Sequence, residues 1–219
     1  MALGSVALGS VALCSVALGA ATAAPAAPAD RPLHVVALGD SLTAALGLPQ
    51  KDGFVPRLQA ALAEKGVSVD IANAGVSGDT AADGLARLDW SVGQDTDAVI
   101  VELGANDMLR GIRPEITRAA LDTILQRLTA RHIPVLLCGM RAAPNLGADY
   151  AQAFERIYPE LAAKYGVLLY PFFLDGVAAD LKLIQPDGLH PNAAGVDIIV
   201  GRMVPEVLQL LARTKQSPS

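Results

Sequence analysis

Val35-Val36-Ala37-Leu38-Gly39-Asp40-Ser41-Leu42-Thr43 is the stretch on which the reading of this chain turns. Its first half is a short apolar run without the apolar–polar alternation of a half-exposed strand. Such a run reads as a parallel strand, because crossover helices cover both faces of a parallel sheet. Gly39 allows a tight turn, and the residues from Leu42 through Ala44-Ala45-Leu46 can open a helix. Ser41 therefore falls between the carboxyl end of a strand and the amino end of a helix. Free N–H groups and the helix dipole favour negative charge there. A serine so placed is a candidate nucleophile with oxyanion donors at hand. It serves equally well as an ordinary helix cap, and these nine residues leave both readings open.

Outward from this stretch, strand and helix signals alternate. A helix is expected over 54–65, with Val55, Leu58 and Leu62 on one face and Gly66 as its stop. A strand over 67–72 leads into a loop, Asn73-Ala74-Gly75-Val76-Ser77-Gly78-Asp79-Thr80, and Thr80 opens a short helix carrying Leu85 and Leu88. A strand over 98–103 ends in Gly104-Ala105-Asn106-Asp107, and Leu121, Ile124, Leu125 and Leu128 mark the next helix. Further on come a strand over 133–138, a helix over 151–165 that Pro159 bends or breaks, a strand over 167–170 and a last helix over 193–212. This alternation predicts an α/β fold of three layers, a doubly wound sheet of about five parallel strands with no internal boundary.

Composition narrows the setting. The 219 residues are 52% hydrophobic and 18% charged, which suits one α/β domain with a full core. A net charge of −5, no basic run and 4% aromatic residues argue against nucleic acid as a partner. The first 29 residues carry no charged side chain and repeat Ser-Val-Ala-Leu-Gly with small variations. Followed by Ala21-Thr22-Ala23, they read as a secretory signal with a small-residue cleavage site, although the usual Lys/Arg start is missing. The expected organisation is a signal peptide over 1–24, a flexible Ala/Pro-rich segment over 25–32, the folded domain over 33–213 and a tail over 214–219. Export to the periplasm or beyond follows, with no stable membrane insertion once the signal is removed. Cys14 would leave with the signal, and Leu13 before it departs from the small residue that lipidation favours. Cys138, then alone, ends an apolar run and reads as a buried small hydrophobe.

In a doubly wound sheet the ligand sits outside the carboxyl ends of the strands. His34 and His132 begin or precede their strands and fall at the opposite end, so among the histidines only His190 can join Ser41. Ser41, Gly78, Asn106, Asp187 and His190 all follow strands and converge on one edge. Together they could perform serine acyl transfer: His190 as the base, Asp187 as its orienting partner, and Asn106 with backbone N–H groups as oxyanion donors. Taken singly, Asp187 also suits a turn, Asn106 a helix cap and Gly78 a positive φ.

Gly39-Asp40-Ser41-Leu42, Asn73 through Thr80, Glu102-Leu103-Gly104-Ala105-Asn106-Asp107 and Asp187-Gly188-Leu189-His190-Pro191 occur in the order found in the SGNH (GDSL) hydrolases. The chain resembles that family over nearly all of its length after Leu33, in particular its bacterial thioesterase I/protease I/lysophospholipase L1 (arylesterase) branch. The resemblance implies a flavodoxin-like five-stranded fold and hydrolysis of a small acyl ester or thioester through an acyl-enzyme, without metal or organic cofactor. It implies Ser41 as nucleophile, His190 as base, Asp187 as its partner, and an oxyanion hole from the N–H groups of Ser41 and Gly78 and the side chain of Asn106. Two departures stand out: Ala45-Leu46 replace a common Gly-Tyr pair, and Ala105 replaces a Gly beside Asn106. Leu109, Pro144 and Leu146, apolar residues on loops of the same edge, are the candidates for an acyl pocket. Competing classes are a metal-dependent phosphoesterase drawing on Asp40, Asp107 and His190, and a non-catalytic binding module. An ordinary α/β-hydrolase is excluded, because Ser41 does not sit in a G-x-S-x-G elbow.

Overall fold

A central sheet of five parallel strands organises the computed structural model, in the order β2-β1-β3-β4-β5. The structure describes residue 1 and residues 31–214. The signal reading of 1–24, the fate of Cys14 and the tail beyond residue 214 lie outside them. The strands are β1 (Leu33–Gly39), β2 (Val69–Gly75), β3 (Ala98–Glu102), β4 (Val135–Cys138) and β5 (Leu168–Tyr170). Strand β1 lies between β2 and β3, and Val35, Val36, Ala37 and Leu38 are essentially inaccessible to solvent. That burial on both faces is why the run lacks alternation.

Helix α2 (Phe54–Glu64) packs on β2 and on α9 (Ala193–Thr214). Elsewhere α6 (Pro114–Ala130) packs against α3 (Ala81–Ala86) and α8 (Ile157–Tyr165). Each long helix turns an apolar stripe inward: Leu121, Ile124, Leu125 and Leu128 on α6, and Val196, Ile199, Val200, Met203 and Val207 on α9. Strand order and layering are those of a flavodoxin-like doubly wound sheet, as the alternation of signals predicts.

Several elements differ from expectation. Strand β4 begins at Val135 rather than 133, because His132 and Ile133 bond back onto the end of α6. The helix opened by Thr80 stops at Ala86, so Leu88 starts a separate turn, α4 (Leu88–Ser91). Strand β2 starts at Val69 rather than 67, because the cap of α2 uses the intervening residues: Gly66 has φ +74° and the Val67 N–H donates to the Leu62 carbonyl. It then runs on to Gly75, since Asn73, Ala74 and Gly75 pair with Ala37, Leu38 and Gly39. The helix expected over 151–165 is two, α7 (Ala148–Glu155) and α8, joined at Arg156. Pro159 has no N–H to offer the Glu155 carbonyl four residues earlier, so the helix restarts. Pro205 is tolerated inside α9, which continues past it to Thr214.

Register sets up the functional edge. Gly75, Gly39, Glu102, Cys138 and Tyr170 lie opposite one another across the sheet, so all five strands end on one row. His34 sits at the other end, its N–H donating to the Asp97 carboxylate at 2.6 Å. His132 turns the chain ahead of β4 with φ +56°.

Candidate active site

The turn after β1 is built around close approach. A Cβ on Gly39 would lie 2.1 Å from Thr43 Oγ1 and 2.7 Å from Glu102 Oε2, so no larger residue fits. Asp40 caps the short helix α1 (Ser41–Ala44), its Oδ1 accepting the Leu42 N–H at 3.0 Å. Ser41 thus occupies the first helical position, and its N–H donates to no protein acceptor among the described residues. The turn ends at Ala45, in the left-handed region with φ +65° and ψ +41°.

The segment between β5 and α9 delivers the histidine. Gly188 has φ +75°, and Asp187 Oδ1 accepts the N–H groups of Leu189 (2.9 Å) and His190 (3.0 Å). Those backbone bonds, and then the bond from His190, hold the Asp187 carboxyl down at about 2, so it is ionised and can only accept. Its Oδ2 lies 2.6 Å from His190 Nδ1, which therefore carries the proton and donates. In the neutral ring Nε2 is then an acceptor, and it lies 2.8 Å from Ser41 Oγ. The Gln185 side-chain amide braces the loop by donating to the carbonyls of Leu46 (2.8 Å) and Pro191 (3.0 Å). Residues 149 apart in sequence thus form one hydrogen-bonded chain, Ser41–His190–Asp187.

Asn106 lies in α5 (Ala105–Leu109), entered through Gly104 at φ +116°. Its Nδ2 donates to Asp40 Oδ2 and to the Asp79 carbonyl, both at 3.0 Å. Both amide hydrogens are engaged, so donation to a substrate oxygen exchanges one of these bonds. Gly78, with φ +91°, accepts from Arg110 Nη2 at 2.6 Å through its carbonyl, while its N–H donates to no acceptor among the described residues.

Beneath the turn lies a pair of buried acids. Burial pushes the Asp40 carboxyl up to about 6, against the opposing pull of the Leu42 N–H and Asn106. Glu102 is pushed well above the usual carboxylate range by burial and then by Asp40. Its Oε2 accepts from Thr43 Oγ1 (2.8 Å) and the Asp40 N–H (3.4 Å), and its Oε1 has no partner among the described residues. Sequence reasoning passed over Glu102; its one signal was an acid closing an otherwise apolar strand.

Other candidates fall outside this constellation. Asp107 is buried and committed, accepting the Ala81 N–H and the Thr117 hydroxyl, both at 2.8 Å. Asp107 therefore offers no oxygen to a metal beside His190, and the phosphoesterase reading loses a ligand. The cleft beside Ser41 and His190 has a volume of about 10 Å³ and is lined by Leu42, Ala45, Leu46, Leu48, Pro191 and Val196. Leu109, Pro144 and Leu146 are not among its walls: Leu109 is half-exposed on α5, and the other two lie in a 3-10 turn after β4. A cavity of about 580 Å³ lined by Val55, Gln59 and Ile71 of α2 and β2 includes neither Ser41 nor His190. Cys138 is buried, and its thiol is pushed up by that burial, in line with a packing role.

Comparison with known proteins agrees with this fold. Esterase TesA of Pseudomonas aeruginosa is 40% identical over 178 residues, 81% of this chain and 89% of its own length. Thioesterase 1/protease 1/lysophospholipase L1 of Escherichia coli K12 is 37% identical over 175 residues, 80% of this chain and 83% of its own. The crystal structure of AlinE4, a SGNH-hydrolase family esterase, superposes with a TM-score of 0.70 at 45% identity, covering 84% of this chain and 98% of that one. The model of the GDSL-like Lipase/Acylhydrolase family matches residues 37–198, from the middle of β1 through the His190 loop into α9. Fold, motif order and relatives coincide, and the chain belongs to the GDSL-like lipase/acylhydrolase family, the SGNH ester hydrolases.

Proposed function

We propose that this enzyme hydrolyses carboxylic esters of short acyl groups through an acyl-enzyme on Ser41. The observation that carries the assignment is the unbroken chain from Ser41 Oγ to His190 Nε2 at 2.8 Å and from His190 Nδ1 to Asp187 Oδ2 at 2.6 Å. His190 takes the Ser41 proton as Oγ attacks the acyl carbonyl, and ionised Asp187 steadies the imidazolium that forms. The N–H groups of Ser41 and Gly78 and the amide of Asn106 receive the oxyanion. His190 then gives the proton to the departing alkoxide, and water activated by the same ring releases the acid.

The cleft of about 10 Å³ beside Ser41 encloses no acyl chain, so the ester meets Ser41 at an open edge, which suits short acyl groups better than long ones. A thioester presents the same carbonyl to the same donors and is the second substrate class. The uncharged run at the start of the chain supports export as the setting.

The test is hydrolysis of p-nitrophenyl esters from acetate to palmitate, with Ser41→Ala as the blank. We expect the wild type to favour the short members and Ser41→Ala to be inactive with unchanged circular dichroism. Activity retained in the folded variant would remove Ser41 as the nucleophile, and an optimum at palmitate would remove the short-acyl assignment.

A further inference from the structure

The three donors assigned to the oxyanion come from three different segments: the turn after β1, the loop after β2 and the helix after β3. The paired register ends at Gly39 and Gly75 with one further bond, from the Val76 N–H to the Gly39 carbonyl, so the ladder itself stops short of the Gly78 loop. Arg87, directly after α3, spans that gap. Its side chain is 16% exposed, and three of its nitrogens donate in three directions. Nη2 reaches the Gly39 carbonyl at 2.8 Å, Nε reaches Asp79 Oδ2 at 2.6 Å, and Nη1 reaches Ser91 Oγ at 3.0 Å.

Each of the first two contacts sits next to a donor. The Gly39–Asp40 peptide is gripped at both ends: its carbonyl accepts from Arg87 and from the Val76 N–H (3.0 Å), and its N–H donates to Glu102. The next peptide carries the Ser41 N–H. Asp79 follows Gly78 directly, and the Asp79 carbonyl is one of the two acceptors that hold Asn106.

We propose that Arg87 is a positioning residue for ester hydrolysis, bridging the Ser41 turn to the Gly78–Asp79 loop so that the three oxyanion donors point to one place. The inference rests on the reading of Ser41 as the nucleophile. Arg87 touches no reacting atom and acts only through Gly39 and Asp79. The rigid fork of a guanidinium reaches several acceptors at fixed angles, which a lysine ammonium does not reproduce. Preorganised donors lose their effect when they drift, and a displacement on the order of 1 Å can cost about 100-fold in rate.

The experiment compares kcat, KM and Tm for wild type, Ser41→Ala, Arg87→Lys and Asp79→Ala on p-nitrophenyl acetate, and repeats Arg87→Lys in an Asn106→Ala background. For Arg87→Lys we expect kcat to fall roughly 10- to 100-fold with KM within about twofold of wild type, because the interaction matters in the transition state. The factor should shrink in the Asn106→Ala background, since both changes act on the same donor set. A merely structural arginine would lower Tm yet multiply in full with Asn106→Ala. If Arg87→Lys does not fold, Asp79→Ala removes the acceptor of the same bridge, and the same kcat loss is expected. A folded Arg87→Lys or Asp79→Ala with wild-type kcat, or full multiplicativity, overturns the proposal. Activity surviving in Ser41→Ala would instead overturn the nucleophile assignment on which it rests.

Discussion

Asp40 caps α1 through one carboxylate oxygen and anchors Asn106 through the other, yet it is fully buried beside Glu102. Burial raises its pKa from 3.8 to about 6. Between those values the folded protein keeps a proton that the unfolded chain releases. The stability associated with this group is therefore present below pH 3.8 and lost as pH rises through about 6. Glu102, pushed higher still, acts with the same sign further up the scale. Asp187 has the opposite sign and acts lower: its pKa is held down at about 2, so its contribution is present above the ordinary carboxylate range and lost as pH falls through 2. Asp40→Asn should therefore flatten the fall of Tm with rising pH between about 4 and 6. Thermal denaturation at pH 4, 5, 6 and 7 checks this, and parallel wild-type and variant curves would contradict the burial account. The same variant should lower kcat, because an amide at position 40 cannot both cap Leu42 and accept from Asn106 as the carboxylate does. At this scale the gathering of Ser41, Asp187, His190, Asn106 and Gly78 at one edge was legible, because the rule that ligands gather at strand carboxyl ends sorts polar residues by position alone. Glu102 and Arg87 were not. A buried acid or guanidinium shows its role only through the partners that folding brings to it, and those of Glu102 and Arg87 lie as far as 62 and 48 residues away in sequence.

Among the elements, α1 repays close attention. It is one turn long and ends at Ala45 with φ +65°, a conformation that costs a residue with a Cβ about 1–2 kcal/mol. The departure from Gly at this position, visible in the sequence, is thus a strained C-cap as well as a change in the cleft wall. The methyl is not idle: it packs so near Gly53 that a Cβ there would come within 2.4 Å of it. Ala45→Gly should relieve the strain and lose that contact and some unfolded-state restriction, for a net gain of under about 1 kcal/mol. A rise of about 1–3 °C in Tm is the expected result, and a fall would mean that the Gly53 contact dominates. Other elements were read with mixed success for identifiable reasons. Long helices with apolar residues at three- and four-residue spacing declared themselves. The extension of β2 through Asn73-Ala74-Gly75 did not, since polar and small residues there are recruited by pairing with β1 rather than by any strand preference of their own. The break between α7 and α8 was legible because the missing N–H of Pro159 is a covalent fact.

For the molecule as a whole, the sheet supplies a rigid row on which β1, β2 and β3 present Ser41, Gly78 and Asn106, whereas His190 arrives on a long connection between β5 and α9. That connection contains no helix or strand of its own, and an isolated bridge between Ile184 and Pro191 is its one ladder contact among the described residues. Phe173 and Val177 anchor its first part in the core, whereas residues 178–190 are exposed or half-buried and held by local turn bonds, which makes that second part the first to open. Gln185 ties it to the Ser41 side of the cleft, its amide donating to Leu46, five residues after Ser41. In the wild type this brace should keep the loop's opening coupled to global unfolding, so activity and helical circular dichroism should decline together in urea. Gln185→Ala removes both amide bonds without touching the sheet. Its activity should therefore vanish at a lower urea concentration than its circular dichroism, with the dichroism midpoint near that of wild type. Coincident transitions in the variant would mean that the Asp187–His190 turn, stapled by its own two backbone N–H bonds, holds its place without the brace. Separated transitions would show that the two halves of the site are joined by one side chain across the mouth of the cleft.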